Sequence, residues 1–172
     1  MIIEDSELIS RVLAHDDQYA FSQLVKKYQS QIRLFLRRLI EDQPEVADEL
    51  AQETFLLAYR KLKTFQGRSQ FSTWLYVIAK NQFLQYLRKK KKAIDWQEES
   101  ESVPELSMNN RIDLEGAIKK LSAPQRAVLT LSYAEGLSQQ DVAQILDIPL
   151  GTVKSHLLRG KEQLKVLLKE YN

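Results

Sequence analysis

The sequence predicts an all-α protein made of two small helical domains joined by an acidic linker. Three observations carry that prediction. Leu, Gln, Glu, Lys, Arg and Ala dominate, all good helix formers, while 172 residues hold only 5 Gly and 4 Pro, too few for the tight turns of an all-β chain. Apolar residues recur three and four positions apart, the period of an amphipathic helix. The charges are segregated: Arg88-Lys89-Lys90-Lys91-Lys92 is an unbroken basic run, and beyond it Asp95, Glu98, Glu99, Glu101, Glu105, Asp113 and Glu115 stand against Arg111 alone. That acidic stretch has too little apolar surface to offset its chain entropy, so it reads as a linker. The expected domains are residues 1–92 and 113–172, with the linker at 93–112.

The first block opens with a helix over Ser6–Ala14, carrying Leu8, Ile9, Val12 and Leu13. A second spans Asp17–Leu39, where Phe21, Leu24, Val25, Tyr28, Ile32, Phe35 and Leu39 keep helical spacing. Pro44 suits a first helical position, and from it Val46, Leu50, Ala51, Thr54, Ala58, Leu62 and Phe65 form one stripe. Gly67–Gln70 interrupts. A long helix then runs from about Ser72 to Lys91, with Phe71, Leu75, Ile78, Ala79, Phe83 and Tyr86 toward the core. Past the linker, Leu114–Lys120 is helical, and Pro124 opens a helix to about Ala134 that Gly136 ends. Ser138–Leu146 is a short helix, Asp147-Ile148-Pro149 a turn and Thr152–Glu170 a long final helix.

Composition excludes several chemistries. With no cysteine there is no disulfide framework, cysteine zinc site, iron–sulfur cluster or thiol nucleophile, and His15 and His156 are too few for a histidine metal cage. No carboxylate pairs with a nucleophile, so the expectation is a protein without enzyme activity, cofactor, metal or small-molecule substrate. No apolar run approaches the roughly 18–20 residues that cross a bilayer, and Met1–Asp5 is acidic, unlike a signal peptide, so the expected address is the cytoplasm. A net charge of +2 is too small to identify a nucleic-acid binder, so the placement of the charges has to speak.

The sharpest signal is C-terminal. Ser138 is a good N-cap with Asp141 at the third position, a weak capping box, and Leu137 and Val142 can staple its flanks. Val142, Ala143, Ile145 and Leu146 form an inner face, with Ala143 small enough for a close approach. After the turn, Val153, Leu157, Gly160, Leu164, Leu167 and Leu168 form a buried stripe opposite Lys154, Ser155, Leu158, Arg159, Lys161, Glu162 and Lys165. Two helices about a tight turn make a helix-turn-helix, whose second helix enters the major groove by its N-terminal residues. Thr152, Lys154, Ser155 and Arg159 are donors of the right kind there, with Leu158 beside them. A plain helical hairpin with a solvated basic face is the competing reading.

Residues 137–155, from Leu137-Ser138 through Ile148-Pro149-Leu150-Gly151-Thr152-Val153-Lys154-Ser155, resemble region 4 of bacterial extracytoplasmic-function (ECF) sigma factors, of the sigma-70 family. Leu121-Ser122-Ala123-Pro124-Gln125-Arg126-Ala127-Val128-Leu129 is similar to the helix preceding it there. Asp48-Glu49-Leu50-Ala51-Gln52-Glu53-Thr54-Phe55 resembles region 2.2, and Phe71-Ser72-Thr73-Trp74-Leu75-Tyr76-Val77-Ile78-Ala79-Lys80-Asn81 resembles regions 2.3 and 2.4. The resemblance covers nearly the whole chain, in order. It implies the short class with regions 2 and 4 only, which binds core RNA polymerase and directs initiation by recognising the −35 and −10 promoter elements.

The resemblance also assigns residues. Asp48, Glu49, Gln52, Glu53 and Leu56 would dock on the clamp helices of the polymerase β′ subunit, with region 4 helping on the β subunit. By residue chemistry alone this carboxylate face is either solvated or a protein-docking surface, and it would repel DNA. Asn81, Gln85, Arg88 and Lys92 share one face if their helix persists, and would meet the −10 element, as duplex and as the non-template single strand. Arg68, Ser69, Gln70, Phe71 and Ser72, with Asn81, lie where the family captures a flipped base. Trp74 is either core packing or a stacking surface. Thr152, Lys154, Ser155, Leu158 and Arg159 would read the −35 element. The linker acids would occupy polymerase channels built for a polyanion. His156 stands where the family often has arginine, which puts one backbone or base contact in doubt, and His15 reads as a surface residue. Family members are usually held inactive by an anti-sigma factor, often membrane-bound. The competing function is a stand-alone dimeric helix-turn-helix regulator that binds a palindromic duplex without polymerase.

Overall fold

The structure, a computed structural model, describes residues 3–97 and 114–169. Among these, every regular element is helical, and the chain separates into two compact units, Met1–Lys91 and Lys92–Asn172.

Unit 1 contains α1 (Asp5–His15), α2 (Gln18–Leu39), α3 (Pro44–Lys61), a 3-10 turn (Leu62–Thr64) and α4 (Phe71–Lys89). Asp16 ends α1 in the left-handed region (φ 51°), and Asp17 then caps α2 by accepting the Ala20 N–H at 2.9 Å. That backbone hydrogen bond, aided by the Arg11 guanidinium 2.7 Å away, holds the Asp17 carboxyl below the usual carboxylate range. Pro44 occupies the first turn of α3, as expected. The core is Leu24, Ile32, Phe35 and Leu36 of α2 against Ala51 and Ala58 of α3 and Leu75, Tyr76 and Phe83 of α4, all at or below 5% exposure. Each such large side chain contributes roughly 1.5–3 kcal/mol by leaving water. Phe35 and Tyr76 meet edge to face at 5.4 Å.

Unit 1 departs from the sequence expectation in three places. The α3 stripe is shifted: Ala47 and Phe55 are buried, while Val46 and Leu50 are half-buried, because α3 packs on α2 and α4 together and turns a wider face inward. Its α-helix stops at Lys61 and a 3-10 turn follows, so Phe65 lies off the stripe, in extended backbone. The last helix ends at Lys89, with Lys91 at φ 53°, so Lys92 is not on the face of Asn81, Gln85 and Arg88. Continued helix would stack Arg88, Lys91 and Lys92 as like charges three and four apart, with no packing to offset the repulsion.

Unit 2 contains α5 (Leu114–Lys119), α6 (Ala123–Leu129), a π-helical turn (Thr130–Ala134), α7 (Gln139–Leu146) and α8 (Leu150–Lys169). Ser122 and Gln125 form a full capping box that the sequence reading missed. At Ser138 the hydroxyl accepts the Asp141 N–H at 3.1 Å and donates to the Asp141 carboxylate at 2.6 Å. The helix expected over Pro124–Ala134 loosens into a π turn that Gly136 (φ 65°) closes. Asp147 caps α7 in the left-handed region (φ 56°), and Pro149 accepts the N–H groups of Thr152 and Val153 at 3.0 and 3.2 Å. That starts α8 at Leu150, two residues before the expected Thr152. A close helix approach is at Gly160, where a Cβ would lie 2.8 Å from Leu129 Cδ1 of α6.

Of the linker expected at 93–112, residues 93–97 are described and belong with unit 2. The remainder lies outside the described residues.

Candidate docking surface and nucleic-acid interface

The outer face of α3 follows from its crowding. With Ala47, Ala51, Thr54, Phe55 and Ala58 turned inward, Glu49, Gln52, Glu53 and Leu56 are left outside. Leu56 is 55% exposed. Gln52 and Leu56 crest a ridge between two grooves. On the α2 side lies an apolar groove of about 470 Å³ lined by Phe21, Val25, Arg33, Phe55 and Tyr59. On the α4 side lies a polar groove of about 640 Å³ lined by Glu49, Glu53, Gln82, Gln85 and Lys89. Apolar flank, carboxylate rim and exposed leucine together suit an amphipathic helix with basic edges.

Asp48 behaves differently from its neighbours. It takes two hydrogen bonds from the Arg37 guanidinium, at 2.8 and 2.7 Å, with Arg33 at 3.6 Å, and so bolts α3 to α2. The Arg37 hydrogen bonds hold its carboxyl below the ordinary range. Its charge is already committed inside the unit, unlike the exposed Glu49 and Glu53.

The loop before α4 hangs on aromatic rings. Phe65 precedes it and Phe71 follows it, and the two meet edge to face at 5.7 Å. Trp74 packs on both, at 5.4 and 5.6 Å, and Tyr28 closes the cluster on Phe71 at 5.7 Å. The Tyr28 hydroxyl donates to Asp5, which also pairs with Lys27 at 2.6 Å, so α1 buttresses the cluster; burial, then the Asp5 bond, pushes the Tyr28 phenol well up. Gly67 (φ 67°) turns the chain where a side chain would be strained. Arg68 and Gln70 point outward, Ser69 and Ser72 are half-buried, and Phe71 is 4% exposed. Phe71 is therefore a support beneath the loop and offers no free ring face. Trp74, half-buried against two phenylalanines, matches its core reading better than an open stacking platform.

Along α4, Asn81, Gln85 and Arg88 are exposed on one face, as their spacing predicts. Lys89 at the helix end is exposed too, whereas Lys80 is buried at 7% exposure, which no periodicity argument flagged.

On α8 the expected set divides. Lys154 and Leu158 are fully outward, Leu158 at 65% exposure, and Lys161 and Lys165 continue their stripe. Lys161 lies over the exposed Tyr133 ring at 5.3 Å. Thr152, Ser155 and Arg159 are half-buried on a neighbouring flank. His156 is buried at 2% exposure and bonds to unit 2 itself, so it does not take the place of an arginine facing DNA. Among the described residues there is no cluster of three metal-ligating side chains, and no helix is long and apolar enough to cross a membrane.

Known proteins divide in the same way. Residues 24–93 match the family Sigma-70 region 2, and residues 111–164 match Sigma-70, region 4. The chain is 36% identical to an RNA polymerase sigma-H factor of Pseudomonas aeruginosa, over 94% of this chain and 92% of the relative. It is 33% identical to the ECF RNA polymerase sigma factor SigW of Bacillus subtilis, over 90% and 91%. The sigma factor RpoE of Bartonella quintana, solved in complex with the anti-sigma factor NepR, has a TM-score of 0.69 at 29% identity over 87% of this chain and 96% of that one. CnrH, solved with the cytosolic domain of CnrY, shares the fold at a TM-score of 0.69 and 21% identity, over 98% and 99%.

Proposed function

The chain belongs to the extracytoplasmic-function group of the sigma-70 family, and from that premise we propose how its side chains divide the work of a sigma factor. It binds core RNA polymerase and directs promoter-specific initiation. The ridge of Gln52 and Leu56, with Glu49 and Glu53, takes the β′ clamp helices in the grooves on either side, while Asp48 holds the ridge in register from within. Unit 2 adds a contact to the β subunit. The Lys154–Leu158 stripe of α8, with Thr152, Ser155 and Arg159, reads the −35 duplex. Asn81, Gln85 and Arg88 of α4 meet the −10 element, and Lys92 adds charge from the segment beyond the helix. Arg68, Ser69, Gln70 and Ser72, carried on the aromatic cluster, take an unstacked base of the non-template strand. Capturing that base offsets part of the few kcal/mol spent on unpairing it.

The chain supplies no bond-making step and works beside polymerase in the cytoplasm. An anti-sigma factor is its natural regulator, since NepR is bound to a relative of the same fold, and such a partner would cover the polymerase-facing ridge.

One observation carries the reading. Adjacent helices of one unit present opposite chemistries: carboxylates and a bare leucine on α3, amides and a cation on α4. A surface that repels DNA beside one that attracts it needs two different partners at once. The test is run-off transcription with purified core enzyme on a promoter library. Transcripts that require the chain are expected, and Leu56→Asp should abolish them without changing binding of unit 2 to duplex. Tight palindrome binding without core, and no transcript, would sink this reading in favour of a dimeric regulator.

A further inference from the structure

His156 is unexplained by the function above, and it has an unexpected partner. Its Nε2 lies 2.7 Å from the main-chain oxygen of Trp96. Carbonyl oxygen can only accept, so Nε2 carries the proton. Trp96 sits in a turn that Asp95 tightens by accepting the Gln97 N–H at 2.9 Å. The first residues after the basic run are therefore docked on α8.

Where they dock matters. At 100° per residue α8 has three faces. Val153, Leu157, Gly160 and Leu167 face the core, and Lys154, Leu158, Lys161 and Lys165 are open. Thr152, Ser155, His156, Arg159 and Gln163 share the third face, and His156 holds Trp96 there. On that flank the three expected DNA contacts are all half-buried, and Arg159 Nη1 is shut off from solvent, as is the Trp96 indole nitrogen.

We propose that this flank of α8 is an interaction surface with a resident occupant, the chain's own Trp96 turn, which the −35 duplex must displace. The proposal rests on the reading of α8 as the duplex-reading helix. The turn meets α8 through the hydrogen bond from His156 Nε2 to the Trp96 main-chain oxygen, and its indole is half-buried. While it is closed, Lys154 and Leu158 can touch DNA, but Thr152, Ser155 and Arg159 cannot engage together with them. Apparent affinity is then the intrinsic affinity multiplied by the fraction of molecules with the turn undocked. In this reading His156 serves as the catch.

The full-length chain tests this with a short duplex selected from a randomised pool by the holoenzyme. Trp96→Ala should bind it at least about tenfold more tightly than the parent, whereas Trp96→Phe, which keeps a ring, should bind like the parent. Unchanged or weaker binding by Trp96→Ala overturns the proposal. Trp74 and Trp96 are the only tryptophans, so fluorotryptophan labelling gives two ¹⁹F resonances. Saturating duplex should move the Trp96 resonance toward its solvent-exposed position, and a stationary signal overturns the proposal even if Trp96→Ala fails to fold. Lys154→Ala separates the two levels. If it weakens duplex binding while Trp96→Ala changes nothing, the catch alone is wrong; if it too changes nothing, the assignment of α8 fails and the catch with it.

Discussion

Helices α4 and α8 are almost equal in length, 19 and 20 residues, and both offer cations and polar donors, yet they are built into their units in opposite ways. α4 packs against both α2 and α3 and buries side chains along most of its length, from Phe71 and Leu75 to Phe83 and Leu87. The Asn81–Gln85–Arg88 stripe and Lys89 at the helix end are left outside. α8 rests on α5, α6 and α7 along one side, and much of its surface is free. The difference matches two kinds of recognition. Holding a parted strand requires a pocket whose walls do not move, so its helix is fixed on several sides. Entering a groove requires protrusion, so its helix stands at the margin. Errors in α4 should therefore damage the fold first, and errors in α8 the binding first.

The largest test of this contrast is a pair of leucine truncations. Leu75 is fully buried in α4 and Leu158 is 65% exposed on α8. Leu75→Ala should cost about 2–5 kcal/mol in urea unfolding. Leu158→Ala should stay within about 0.5 kcal/mol while weakening binding to the −35 duplex. Equal stability losses would erase the distinction. Next comes the one place where α8 is tightly held. Leucine at Gly160 would drive into Leu129, so Gly160→Leu should cost about 1–3 kcal/mol by thermal unfolding. Gly160→Ala should be far milder, because a Leu129 methyl can swing aside and alanine favours the helix.

A smaller effect separates the DNA forms each helix meets. Lys154→Ala should flatten the log–log salt dependence of duplex binding by about 0.9. Arg88→Ala should do so for single-stranded −10 probes by about 0.7, with holoenzyme. If the two substitutions act on the same probe, the division of labour is wrong. The smallest effect concerns α3, beside them. The Asp48 carboxyl is held low by Arg37, so its stabilising contribution is present above the unfolded value near pH 4 and is lost as pH falls through the folded one. The Asp48 side chain is about a third exposed and that of Arg37 nearly half, so solvent screening keeps the contribution below about 1 kcal/mol. Asp48→Asn should remove that part of the acid sensitivity, read as denaturation midpoints between pH 5 and 2.

Much of this arrangement is legible in the residues themselves. Helical periodicity finds all four long helices, because each buries one side against a neighbour and so must repeat at about 3.6 residues. Ser138, Gly136 and Pro44 mark ends by local backbone chemistry that tertiary packing does not override. The exposure of Glu49, Gln52, Glu53, Leu56, Asn81, Gln85 and Arg88 follows from the same spacing. Less legible are positions whose state depends on what lies across from them. Asp48 looks like its acidic neighbours, but Arg37, a residue of another helix, claims it. Phe71 belongs to a recognition motif, but rings from α2 and from the segment after α3 close over it.

What the amino-acid order determines by itself is local: where helices start and stop, which sides are apolar, where charge collects. Each depends on neighbours within about one turn, so no knowledge of the fold is needed to see it. What the tertiary structure alone decides is which polar groups remain available. Arg37 takes Asp48, burial takes Lys80, and Trp96, sixty residues away along the chain, meets His156. Those pairings depend on side chains brought together from distant parts of the sequence, and a one-dimensional pattern carries no record of that proximity.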